Sequence, residues 1–289
     1  MVGLPIWLNV LLVFGLAGLG ALEARRLARK RDGLDLDNVT RRAPYLYAVA
    51  GAVVLFLGAL FSLQYFPRLW WKLPLLLEYV FTCLTWGSVL ALFSFLAGLS
   101  AAVAFHSGHR ERHKLVLAGV LLVAVVQVAQ WLYTRPVAPE LTHKITSAGI
   151  ILQSSPVSCA AASAANMARR LGVQATERQM AEALGTTALG GTSASQVVYG
   201  MADLGFSCRR AKVAPGKVAT LKLPAMIFVD HPMTGPESHA AALMAAGAKR
   251  VEVWDPLWGK RLWSHEELGQ RWHGFAIECS YPKRQPLPK

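Results

Sequence analysis

Apolar residues are unevenly placed along this chain, and that unevenness limits its fold more than any other feature. Leu4 to Ala24, Tyr45 to Phe66, Leu75 to Phe105 and Leu115 to Tyr133 are each long enough for a bilayer core, and no comparable run follows Arg135. With 54% hydrophobic and 16% charged residues, the chain is too apolar overall for an ordinary soluble protein. The pattern predicts an all-α four-helix transmembrane module over 1–134, with spans at 4–24, 45–66, 75–105 and 115–133. A second domain over 135–289 is long enough for its own core.

Charge placement bears on orientation. Arg25, Arg26, Arg29, Lys30, Arg31, Arg41 and Arg42 lie between the first two expected spans, and Arg110, Arg112 and Lys114 between the last two. The intervening connection has only Arg68 and Lys72. That bias predicts a multi-pass protein of the inner or plasma membrane, with both termini and the second domain on the periplasmic or extracytoplasmic side. The net charge of +13 lacks the dense patch and aromatic interleaving that nucleic acid requires, so no nucleic-acid partner is expected. His106, His109 and His113 share a helical face, but their Arg-rich setting favours a charged helix end over a metal site. Four cysteines fit no zinc spacing. Cys208 and Cys279 fall in predicted strands and either pair in an oxidising compartment or stand as two separate buried thiols.

The second domain reads as helices followed by a mostly antiparallel sheet, an α+β layout. Ser155-Pro156 signals a helix start, so the Ala-rich helix behind it opens at or just before Cys159 and ends at Gly172. A thiol there meets free backbone N–H groups and the positive end of the helix dipole, which favour a thiolate. Thr176 to Gln179, Ser193 to Gln196 and Ser264 to Glu267 are capping boxes. Strands are predicted over 206–213, 225–230, 239–245, 249–254 and 275–279.

A nucleophilic cysteine needs a base. Of His143, His231, His239, His265 and His273, His239 has an evident partner. A hairpin centred on Gly247 sets it directly opposite Asp255, where a carboxylate holds an imidazole in one tautomer. The other four show no such partner in the sequence. Gln153, six residues before Cys159, brings an amide donor to the same place.

Gln153, Cys159, His239 and Asp255, in that order and spacing, resemble the bacteriocin-processing, or double-glycine leader, cysteine peptidases. The Gly190-Gly191-Thr192 turn, Leu204-Gly205-Phe206, Asp255-Pro256 and Trp272-His273-Gly274 extend the resemblance over roughly residues 148–280. It implies a papain-like cysteine peptidase domain that cleaves a leader or propeptide after small residues such as Gly-Gly. Cys159 would be the nucleophile, His239 the base, Asp255 its orienter and Gln153 an oxyanion donor. No cofactor or metal is implied. The expected partners are a leader-bearing peptide, the lipid bilayer and secretion-system proteins. Ser158 and Ala160 stand where the family usually has Asp and Gly, and no Walker A motif accompanies the domain. Two rival readings are a catalytically silent leader-binding module and an accessory subunit of a secretion or transport complex. The first would be expected to have lost its cysteine, and the spans hold few polar residues for the second.

Overall fold

The computed structural model describes residues 6–30, 55, 71–79, 94–103, 112–233 and 235–282. The chain divides into two compact units, Gly3–Leu132 and Tyr133–Lys289.

In the first unit, helix α1 (Ile6–Lys30) packs closely on a helical stretch at 94–103. A Cβ on Gly20 would run into the Phe95 backbone, and one on Gly98 into that of Ala17. Helix α2 (Arg112–Thr134) leads to the second unit.

The four-helix transmembrane module is corrected here. Among the described residues, no helix is long and apolar enough to cross a membrane. The stretches 45–66 and 75–105, and with them His106 and His109, lie largely outside the described residues, apart from Leu55, 75–79 and 94–103. Helix α1 closes on Glu23, Arg25, Arg26, Arg29 and Lys30, and α2 opens on Arg112, His113 and Lys114. A run of apolar letters becomes a span only where one helix carries about 20 consecutive apolar residues. Counting letters took the runs for such helices.

The second unit is α+β. Strands β1 (Lys144–Ile145) and β2 (Ile151–Leu152) form a short antiparallel pair. Helices α3 (Cys159–Arg170), α4 (Glu177–Leu184) and α5 (Ala194–Asp203) follow. Next come β3 (Ser207–Lys212), β4 (Ala225–His231), β5 (Gly235–Ala246), β6 (Arg250–Asp255) and β7 (Gly259–Ser264). Helix α6 (His265–Arg271) and β8 (Trp272–Ser280) close the fold. The sheet is antiparallel with order β3-β8-β4-β5-β6-β7. Its core includes Ile227, Leu243, Val251, Val253 and Trp272, all fully buried.

All three capping boxes form, with Gln179, Gln196 and Glu267 bonding back to their caps. Gly185 ends α4 in the left-handed region at φ 63°, and Gly172 lies just past α3 at φ 89°. Strand β7 was not expected. Only Leu262 and Trp263 in it are large and apolar, and its exposed Lys260 and Arg261 suit an edge that must not pair further. Gly274, at φ 95°, lies against Val213, where any Cβ would collide with a carbonyl. Cys208 and Cys279 are directly opposed on β3 and β8 and joined by a disulfide, with Cα atoms 4.2 Å apart.

Candidate active site

Helix α3 starts at Cys159, but its cap is not the one expected. Ser155-Pro156 forms a turn before the helix, and Ser158 is the N-cap. The Ser158 hydroxyl accepts from Ser155 N–H at 3.2 Å and donates to Ser155 O at 2.9 Å, so it does not cap the helix. Proline set this turn rather than the first turn of helix. Cys159 is half-buried at the helix mouth and carries a free thiol.

Two polar side chains in the Ala-rich helix lock it in place. Asn166 is fully buried; it accepts from Ile151 N–H at 2.9 Å and donates to Ile151 O at 2.8 Å, pinning the strand that leads to Gln153. Fully buried Ser163, one turn beyond Cys159, donates to Ala240 O at 3.0 Å, beside His239. A third tie joins Gln153 N–H to Pro256 O at 2.8 Å, beside Asp255. Buried Glu177, at the start of α4, accepts from both Ser154 N–H and its hydroxyl at 2.8 and 2.7 Å. Sequence reasoning missed Ser163, Asn166 and Glu177. Polar residues in an otherwise small, apolar helix face are the signal that could have found the first two.

His239 and Asp255 are 6% and 5% exposed, and the imidazole Nε2 meets Asp255 Oδ1 at 3.1 Å. The same oxygen accepts Leu257 N–H at 2.8 Å. Cys159 lies close enough to the ring that its side chain helps to raise the imidazole pKa. The pairing differs in register from the expected hairpin. Ala242 faces Trp254 and Leu243 faces Val253, and a bulge between Leu243 and Ala245 precedes a turn further along than Gly247. Continued outward, this register sets Asp255 opposite Ala241, so it reaches His239 as a diagonal neighbour on the same face.

Burial alone would lower the His239 pKa, but hydrogen bonds to Asp255 and Cys159, together with their charges, raise it from 6.5 to about 9. Burial alone would raise that of Asp255, and the His239 hydrogen bond and charge, with the Leu257 and Trp258 N–H groups, bring it below the usual value. The arrangement can therefore hold an imidazolium between a sulfur and a carboxylate near neutral pH.

Gln153 Nε2 donates to Ser155 O at 2.9 Å, inside the turn before Cys159, while its Oε1 is buried with no hydrogen-bond partner. That bond fixes the amide and leaves its second N–H for another acceptor. His265 bonds Gly247 O at 2.9 Å, on the β5–β6 turn. The expectation that histidines other than His239 lack an acidic partner is corrected by His273, whose Nε2 meets Asp230 Oδ2 at 2.9 Å. Sequence separation hid that pair, because β8 returns beside β4 only in the fold. Among the described residues, no cluster of three or more acidic, Cys or His side chains could hold a metal.

Residues 147–284 match the model of the peptidase C39 family. Several solved structures resemble this chain, among them the following three. A double glycine motif protease from an AMS/PCAT transporter, solved with its leader peptide, is 18% identical over 49% of this chain and 93% of its own, with a TM-score of 0.41. The peptidase domain of Streptococcus ComA is 20% identical over 49% and 98%, with a TM-score of 0.40. The C39-like domain of a Vibrio parahaemolyticus toxin secretion ATP-binding protein is 14% identical over 45% and 99%, with a TM-score of 0.35. No curated protein matches the sequence. Residues 147–284 are thus similar to peptidase C39 domains, and the chain is a cysteine peptidase.

Proposed function

We propose that this peptidase removes a leader or propeptide from a secreted or envelope protein, cutting after a small-residue pair such as Gly-Gly. The reading is carried by the His239 imidazole, which bonds the Asp255 carboxylate and has its pKa raised by the nearby Cys159 side chain. The leader substrate follows from the resemblance that Gln153, Cys159, His239 and Asp255 carry in the sequence.

In this mechanism the Cys159 thiolate attacks the scissile carbonyl, and the imidazolium of His239 stands ready as the acid. Negative charge moves to the carbonyl oxygen. The Cys159 backbone N–H and the second N–H of Gln153 stabilise it, an effect of about 10²–10³ in rate per donor. Because Ser158 does not cap the helix, no side chain competes for its first N–H groups from that position. His239 gives its proton to the leaving amine as the C–N bond breaks and a thioester forms on Cys159. The neutral imidazole then takes a proton from water, hydroxide attacks the thioester, and the thiolate is released. Asp255 keeps the ring oriented and supports its charge throughout.

We further propose that the domain works on the extracytoplasmic side, beside the secretion machinery that delivers its substrates. The Cys208–Cys279 disulfide supports this, since such bonds persist in oxidising compartments. The test compares N-termini of secreted and envelope proteins in cells with the wild-type chain or a Cys159→Ala copy. A defined set should keep its leaders in the variant. Identical N-termini in both would end the proposal.

A further inference from the structure

The ladder between β4 and β5 is regular until Val229 pairs with His239, and resumes only where His231 pairs with Gly235. Between those pairs the single residue Asp230 faces Pro236, Glu237 and Ser238. The strand that carries His239 therefore enters the sheet through a bulge. Glu237 sits in it at φ 54°, the only non-glycine residue with positive φ among the described residues. That conformation is disfavoured for a residue with a Cβ and persists only where its surroundings hold it.

Asp230 supplies the hold. Its Oδ1 accepts Glu237 N–H at 2.9 Å, and its Oδ2 takes His273 Nε2 at 2.9 Å. Because β4 lies between β5 and β8, one carboxylate bonds both neighbouring strands. The bulge side is two residues from His239. The next residue along β4, His231, places its ring 5.5 Å from that of His239 and accepts Met233 N–H at 3.3 Å. Bulges beside active sites re-aim side chains, and this one sets where the His239 ring leaves the strand.

We propose that Asp230 is a positioning residue for catalysis: by closing the bulge at Glu237 it aims His239 at Cys159, and His273 holds Asp230 in the required rotamer. The inference rests on the peptidase reading above. Asp230 acts through the backbone of Glu237. The groups facing His239 itself are Cys159, Asp255 and His231.

The test uses the full-length chain and two readouts: cleavage of a leader peptide, and the pH profile of Cys159 alkylation by iodoacetamide. Asp230→Ala removes the acceptor for Glu237 N–H. It should lower kcat by about 10- to 100-fold with KM little changed, because a base displaced by about 1 Å costs that much. Its alkylation profile should move towards that of His239→Ala. Asp230→Asn keeps a carbonyl acceptor and should hold kcat within about threefold of the wild type. A side chain that served stability alone would lower the melting temperature and leave the alkylation profile of the folded protein unmoved.

Wild-type kcat and profile in folded Asp230→Ala overturn the proposal, and so does an Asp230→Asn loss as deep as that of the alanine variant. If Asp230→Ala does not fold, His273→Ala decides. It should lower kcat and shift the profile in the same direction, and an unchanged enzyme counts against the role. Should His239→Ala itself leave turnover and alkylation unchanged, the peptidase reading fails first and is recognised separately.

Discussion

The Ser163 hydroxyl donates to the carbonyl of Ala240 at 3.0 Å, tying the helix of Cys159 to the strand of His239. Cys159 and His239 lie 80 residues apart in sequence, and this bond sits one helical turn from the first and one residue from the second. Ser163→Ala would leave the Ala240 carbonyl buried without this donor. It should cost about 1–3 kcal/mol in urea unfolding. Ser163→Leu should do worse, since the site is fully buried. No change in either variant would show that the bond does not couple the two elements.

His239 makes stability depend on pH in a definite direction. Its folded pKa of about 9 lies above its ordinary 6.5. The stability it adds is complete below about 6.5 and is lost as pH rises through about 9. Asp255 is shifted down, so its contribution is present above its ordinary value and is lost as pH falls through the folded one. Urea midpoints measured across pH should fall at the alkaline end for the wild type, and this loss should flatten in His239→Gln. Turnover should also decline above about pH 9 as the imidazolium loses its proton.

The disulfide is testable by peptide mapping. An unreduced digest should contain one linked species holding Cys208 and Cys279, which are 71 residues apart in the chain. Replacing both with Ser should destabilise the domain by about 2–4 kcal/mol. Recovery of both cysteines as alkylated thiols without reductant would contradict the pairing and remove the support for an oxidising compartment.

Gln153→Ala should lower kcat by about 10²–10³ and leave KM near the wild-type value, because the lost hydrogen bond strengthens only as charge develops on the carbonyl oxygen. A rise in KM with unchanged kcat would instead make Gln153 a ground-state binding residue.

Local signals were legible in the sequence, and long-range closure was not. The three capping boxes, the helix opening at Cys159 and the strand holding His239 follow from residue chemistry within a few positions. The His239–Asp255 pair was reached through the wrong register, because the bulge between Leu243 and Ala245 leaves no mark in the residue types. His273 looked partnerless because Asp230 is 43 residues away. Asn166 read as one polar residue among alanines, although it satisfies both backbone groups of Ile151. In the first unit, apolar run length was taken as sufficient for a span, and it did not identify a helix able to cross a membrane among the described residues.

The central claim is that cleavage passes through the Cys159 sulfur under control of His239. It is tested most directly by mixing purified enzyme with a leader peptide bearing a Gly-Gly junction and following product by mass. The wild type should release the leader ending in Gly-Gly, while Cys159→Ala and His239→Ala should both be silent, because nucleophile and base act as a unit. Cleavage by Cys159→Ala at the wild-type rate would contradict the account.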